Sequence, residues 1–277
     1  VRSGLIQLRS SDDPAENLDS VVGRLREAAG QGADLILTPE VTNCVSASRT
    51  RQTEVLRHEH DDPTLAGLRD EASALGRWVL IGSLALKTDD ADGRFANRSF
   101  LIAPDGSVAA RYDKIHMFDV AVSETETYRE SAGYRPGDRA VTADSPFGRL
   151  GLTICYDVRF PALYRTLAQA GAGILTVPSA FSPVTGAAHW EPLLRARAIE
   201  CGAFVLAPAQ CGTHAASRGK QRQTHGHSLA VSPWGEVLAD GGTEPGLTLV
   251  DLDLSAVDDA RGKVPSLTHD RPFSGPD

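Results

Sequence analysis

The chain has 277 residues, with a hydrophobic share of 41% and a charged share of 23%, the balance of an ordinary globular protein and not of a disordered, collagenous or disulfide-stapled one. Its net charge of −8, without any cluster of Lys and Arg, excludes the phosphate-neutralising surface that a nucleic-acid partner requires. No apolar run approaches the roughly 20 residues that span a bilayer, and the opening VRSGLIQLRS lacks the apolar core of a signal peptide, so the expectation is no membrane association and a cytoplasmic address.

In chain order, LIQLRS (5–10) reads as a strand. Asp13-Pro14 then opens a helix, with Leu18, Val21, Val22 and Leu25 at helical spacing, and Gly30 and Gly32 stop it. LILTPE (35–40) is a buried strand with Glu40 at its carboxyl end. A second helix (62–77) and the strand WVLIGSLAL (78–86) repeat the pattern. FANRSFLIAPDGSVAARY (95–112) reads as a hairpin around Pro-Asp-Gly, and HSLAVSPWGEVLAD (227–240) as another around Pro-Trp-Gly. Between them lie a strand at 149–155, a helix at 161–171, a strand at 174–180, a helix at 188–202 and a strand at 203–209. LTLVDLDL (247–254) is the last strand. No Pro/Gly/Ser-rich linker divides the chain, so residues 1–277 read as one domain of mixed α/β class, two mixed sheets face to face with helices outside.

Ligands of layered α/β proteins gather at the carboxyl ends of strands. Glu40, Lys114 and Cys155 all stand at such ends. Taken singly, each has a structural explanation: a helix cap, a solvated lysine, a small buried hydrophobe. Taken together they divide the labour of acyl transfer. A carboxylate shielded from water has its pKa raised enough to take a thiol proton, the thiolate attacks, and an ammonium stabilises the developing oxyanion. A Cys-His pair is the competing reading, with His116, His189, His225 and His227 as bases. Cys44, Cys155, Cys201 and Cys211 are scattered without the short paired spacings of a zinc site, and His225 and His227 lack further ligands at suitable spacing.

The motifs TPEVTN around Glu40, YDKIHMFD around Lys114 and ICYDVRFP around Cys155 resemble those of the nitrilase superfamily of carbon–nitrogen hydrolases, in the same order. ETYRESAGYRPGD (126–138) is similar to the loop that brings a second glutamate, matched by Glu130. The likeness continues through AHWEPLLRARAIE, APAQ and THGHSLAVSPWGEVL. It implies an αββα sandwich that pairs into a homodimer or higher homo-oligomer, and no metal or organic cofactor. It also implies roles: Glu40 as base, Cys155 as nucleophile with its sulfur exposed at the rim, Lys114 and the backbone N–H of Tyr156 at the oxyanion, and Glu130 positioning Lys114 or the substrate. Cys155→Ala and Lys114→Ala are then expected to abolish turnover with the fold intact.

Asp157 and Arg159 read as an ion pair holding the turn after Cys155, with Arg159 also a candidate carboxylate anchor. Phe181 could wall the pocket or belong to the core. KIHMFDV, ETYRES and PAQCGTH are most similar to the Nit branch, which implies a cysteine amidase releasing ammonia from a small carboxylated amide, with deaminated glutathione or α-ketoglutaramate as substrate. Tyr128-Arg129 leans toward the first, and Arg129 joins the candidate substrate contacts. VAVSETET (120–127) departs from that branch in lacking a Pro-Gly. An N-carbamoyl amino acid hydrolase or a nitrilase would use the same three residues, and a non-catalytic scaffold retaining the fold is the alternative of another class.

Overall fold

Two six-stranded sheets lie face to face in a computed structural model that describes residues 1–121 and 127–276. The first runs in the order Gly246–Asp251, Arg2–Gln7, Leu35–Leu37, Trp78–Leu86, Ala96–Ile102, Val108–Asp113; the second in the order Val141–Ser145, Gly148–Leu152, Ile174–Thr176, Phe204–Ala207, Leu229–Val231, Val237–Asp240. Read this way, successive pairings in both sheets are antiparallel, parallel, parallel, antiparallel, antiparallel. The chain thus forms the same half twice.

The two-residue period of a strand explains why the central strands read as unbroken apolar runs. In the first sheet, Leu5, Leu35, Leu37, Leu80 and Leu101 turn inward and meet Leu150, Leu152, Ile174 and Leu206 of the second. Their neighbours Ile6, Ile36, Val79, Ile81 and Phe100 turn outward onto Val21, Leu25, Leu65 and Leu68 of the helices Pro14–Gly30 and Pro63–Leu75. Helices Pro161–Gln169 and Pro183–Cys201 cover the second sheet through Tyr164, Leu167, Trp190 and Leu194. The result is the four-layer αββα sandwich.

Local chemistry fixes the helix starts. Asp13, Asp62 and Ser182 each accept backbone N–H groups of the first turn, and each precedes a proline that has no N–H to satisfy. The last of these corrects the expected helix at 188–202, which begins five residues earlier and carries Pro192 within it. SPVTG resembles a turn, but its capping serine and the packing of Gly186 against the His225 ring hold it helical. The edge strand Val141–Ser145, the helix Arg49–Val55 and the small hairpin Cys211–Thr213 with Gln223–His225 were not legible beforehand. Residues 122–126, where the sequence lacks the Pro-Gly, lie outside the described residues. Among the described residues no helix is long and apolar enough to cross a membrane.

Candidate active site

Glu40, Lys114, Glu130 and Cys155 converge on one cavity of about 1070 Å³. Glu40 follows the strand Leu35–Leu37 through Thr38-Pro39, and the turn is tightly held: Val41 N–H donates to Ser83 Oγ at 2.8 Å, and Gln210 Nε2 donates to the Glu40 carbonyl at 3.1 Å. Lys114 follows Val108–Asp113, its N–H donating to the Asn97 carbonyl at 3.0 Å. Cys155 opens a single helical turn, Cys155–Arg159, and its N–H donates to the Pro178 carbonyl at 3.0 Å. Val41 and Cys155 both hold left-handed backbone, with φ of 46° and 49°. Such residues each cost about 1–3 kcal/mol and persist where surrounding contacts over-determine them. The sharp turn at Cys155 aims the sulfur into the cavity floor, and with only 7% of the residue exposed the sulfur does not stand at the rim as expected.

Lys114 Nζ is 2.9 Å from Glu40 Oε1 and 2.9 Å from both carboxylate oxygens of Glu130, and the lysine is 2% exposed. Glu130 is held in turn by the Phe118 N–H, which donates to its Oε2 at 2.6 Å. Glu40 Oε2 accepts the Ala180 N–H at 2.8 Å, and its carboxylate lines the same cavity as the Cys155 thiol. Burial works to raise the Glu40 pKa, but the Lys114 charge and hydrogen bond, the Cys155 thiol and the Arg222 charge outweigh it, and the net shift is downward. This corrects the expected raised carboxylate: the neighbouring ammonium wins over desolvation. Lys114 shows the converse, burial opposing its charge while Glu130 and Glu40 together hold it well above its ordinary value. Burial, then the Glu40 charge, push the Cys155 thiol upward against Lys114 and the Ala180 N–H. The resting site therefore holds an ionised carboxylate, an ammonium and a protonated thiol.

The remaining sequence candidates divide. Tyr156 and Phe181 line the cavity, and Phe181 also packs on the buried Trp190, with ring centroids 4.9 Å apart, so it is wall and core at once. Arg129 lines the mouth and is exposed. Asp157 and Arg159 do not pair with each other. The fully buried Asp157 carboxylate accepts Tyr112 O–H at 2.6 Å, Ile154 N–H at 2.9 Å, and the His116 N–H and ring Nδ1 at 3.0 and 2.7 Å. It ties the Cys155 turn to the strand that delivers Lys114. Arg159 points away, its guanidinium over the Phe181 ring at 5.4 Å and 3.3 Å from His189 Nδ1, and it is not among the residues lining the cavity.

Among the described residues no histidine lines the cavity, so the Cys-His reading fails. His116 is spent on Asp157 and stacks on Phe160, and His225 and His227 face each other. Among the described residues no three His, Cys, Asp or Glu side chains gather as a metal ligand set. Sequence reasoning missed Asn97, whose Nδ2 donates to Glu40 Oε1 at 2.9 Å, the Ala180 N–H, and the cations Arg49, Lys220 and Arg222 in the cavity wall. An asparagine inside the apolar run FANRSFLI was the one available signal.

The profile described as "Carbon-nitrogen hydrolase" matches residues 2–262. The chain is 37% identical over 268 residues to the deaminated glutathione amidase of Yersinia enterocolitica, covering 96% of this chain and 92% of that one. It is 40% identical to the protein of the same description from Synechocystis sp., covering 95% and 96%. The C. elegans NitFhit structure superposes with a TM-score of 0.90 at 34% identity, over 98% of this chain and 65% of NitFhit, so this chain spans about two thirds of that fusion. Saccharomyces cerevisiae Nit3, of branch 10 of the nitrilase superfamily, superposes at 0.85 with 26% identity over 99% and 97%. An amidase from Nesterenkonia sp. AN1, in a glutamate-to-glutamine variant with acrylamide added at its active-site cysteine, superposes at 0.77 with 28% identity over 96% and 98%. Profile and near-full-length relatives agree with the convergence of the three motifs on one cavity: the chain belongs to the carbon-nitrogen hydrolase family of the nitrilase superfamily.

Proposed function

We propose that the protein hydrolyses deaminated glutathione through a thioester on Cys155. The observation that carries this reading is the convergence of Cys155, Glu40 and Lys114 on one cavity large enough for a tripeptide-sized ligand, with Lys114 Nζ 2.9 Å from Glu40 Oε1. With the thiol protonated at rest, proton transfer accompanies attack. Glu40 takes the thiol proton as the C–S bond forms, while Lys114 and the Tyr156 N–H face the charge arriving on the carbonyl oxygen. The tetrahedral adduct then breaks its C–N bond, the departing amine receiving the proton from Glu40. Water, deprotonated by Glu40, attacks the thioester, releases the acid and restores the thiol. Glu130 serves by fixing Lys114 through both carboxylate oxygens.

Deaminated glutathione is favoured as substrate by the description of the Yersinia and Synechocystis relatives. Its leaving group is cysteinylglycine, whereas a primary amide such as α-ketoglutaramate would release ammonia. N-carbamoyl amino acids and nitriles could use the same three groups, but no feature of the cavity selects them. The exposed Ile199, Trp234 and Val264 support association into a homodimer, which sedimentation or light scattering would test.

The deciding experiment is a panel of deaminated glutathione, α-ketoglutaramate, N-carbamoyl amino acids, simple amides and nitriles, with mass spectrometry of Cys155 for the acyl adduct. The expected result is highest kcat/KM for deaminated glutathione. Turnover of another class with deaminated glutathione inert would overturn it.

A further inference from the structure

The cavity wall contains cations that form no ion pair among the described residues. Acids outnumber bases 36 to 28 in this chain, and several arginines outside the cavity pair with carboxylates, among them Arg26 on Glu71, Arg98 on Asp113 and Glu59, Arg149 on Asp144 and Arg165 on Asp270, while Arg57, Arg69 and Arg261 donate to backbone carbonyls. Arg129, Lys220 and Arg222 line the cavity and form no ion pair among the described residues. Arg129 and Lys220 are exposed at the mouth, where water satisfies them. Arg222 is different. It is half-buried, its Nε is buried with no hydrogen-bond partner among the described residues, and its charge helps lower the Glu40 carboxylate.

The backbone that carries Arg222 is firmly mounted. Its carbonyl accepts the His214 N–H at 2.9 Å, and the next residue begins the strand Gln223–His225, paired with Cys211–Thr213. The His214 ring is clamped between the Ser10 carbonyl and Thr224 Oγ1, at 2.7 Å from each. Asp12 holds the intervening loop by accepting the Ser217 N–H at 2.8 Å and its hydroxyl at 2.7 Å. A buried N–H without an acceptor is costly, and a fixed guanidinium is suited to bidentate capture of a carboxylate.

We infer that Arg222 binds the free carboxylate of the substrate's acyl half, the end that remains on Cys155 as the thioester. This rests on reading the cavity as an amidase site and names what that site selects. Depth chooses the acyl half over the leaving half: Arg222 is half-buried in the wall with its Nε shut off from solvent, as Cys155 and Glu40 are buried in the same cavity, whereas Arg129 and Lys220 are exposed. In a five-carbon dicarboxylic monoamide the free carboxylate is only four bonds from the carbonyl under attack. Arg159, the anchor expected from sequence, lies outside this cavity. The selected class is therefore the ω-monoamides of dicarboxylic acids over neutral amides of equal length.

Glutaric acid monoamide and pentanamide differ in that carboxylate and are the test pair, assayed with wild type, Arg222→Gln and Arg222→Lys. Arg222→Gln should cut the preference in kcat/KM for the charged amide by about 10- to 100-fold, mostly through KM, with partial recovery in Arg222→Lys. Calorimetry of glutaric acid monoamide with Cys155→Ala protein should show a similar loss of affinity when Arg222→Gln is added. An equal loss on both amides, or an unchanged preference and affinity, overturns the assignment. If wild type leaves deaminated glutathione intact, the proposed reaction fails by itself, and the calorimetric comparison still decides Arg222.

Discussion

Asn97 Nδ2 donates to Glu40 Oε1 at 2.9 Å and approaches Glu130 Oε1 at 3.5 Å, so one side chain from the strand Ala96–Ile102 touches both carboxylates that flank Lys114. With Lys114 on the same oxygen and the Ala180 N–H on the other at 2.8 Å, Glu40 is held ionised by three donors while remaining 5% exposed. A weak but fixed base follows from that arrangement, one that acts when the thiol is attacking and not before.

Glu40→Gln keeps the size of the side chain but cannot accept a proton. Turnover should fall by about 100- to 10,000-fold, the range of general-base catalysis, and the melting temperature should drop as well, because the variant loses the ion pair with Lys114. A variant within tenfold of wild type would show that another group removes the thiol proton.

Lys114→Ala is no longer expected to leave the fold intact. The ammonium lies buried between Glu40 and Glu130, and removing one partner of such a cluster costs about 3–5 kcal/mol. In the wild type, the lowered Glu40 value means its stabilisation is present above the unfolded value of 4.5 and is lost as pH falls through the folded one. The raised Lys114 value means its share is present below 10.5 and lost as pH rises through the folded one. Without the ammonium, burial pushes Glu40 upward, so the variant should regain stability relative to wild type as pH drops from 7 toward 5. Urea unfolding at both pH values checks this; a variant as stable as wild type at pH 7 would contradict it.

Alkylation of Cys155 by iodoacetamide should keep accelerating as pH rises through 9, the ordinary thiol value, because burial and Glu40 hold its proton. Peptide mapping after timed labelling gives the profile. A plateau between pH 6 and 7 would mean a preformed thiolate and a different charge balance around Glu40.

Gly82→Ala should lower both stability and activity. A Cβ there would stand 2.0 Å from the Thr38 carbonyl, 2.6 Å from that of Pro39 and 2.5 Å from Pro178 Cβ, backbone and ring that cannot swing away. Thr38 and Pro39 lead to Glu40, and Pro178 receives the Cys155 N–H, so the strain enters the site from both sides. Matching loss in denaturant midpoint and kcat is the expected outcome. An alanine variant with wild-type kcat would show that the two loops move independently of the site.

The order of Glu40, Lys114 and Cys155 was legible because each ends a strand, and strand ends can be read from apolar runs. Arg159 was misread for the same reason: the run places the turn, but not which way each side chain leaves it. Asp157 takes the inward direction and its hydrogen bonds to Tyr112, Ile154 and His116, which forces Arg159 outward onto Phe181. Arg222 carries no local pattern at all. Its position comes from Ser10 and Asp12, contacts made across the fold and invisible in a window of residues. The Glu40 pKa was misjudged because burial is written in the strand, while the opposing ammonium arrives from 74 positions away.

The repeated half-fold has a consequence for how the enzyme would fail. Glu40 and Lys114 belong to one half and Cys155 and the Ala180 N–H to the other, so neither half owns a working centre. Loosening the seam between them should silence turnover while circular dichroism still reports intact helices and strands, making activity a gauge of docking before it is a gauge of folding. Fragments divided between the halves would each be inert and would regain function on reassembly.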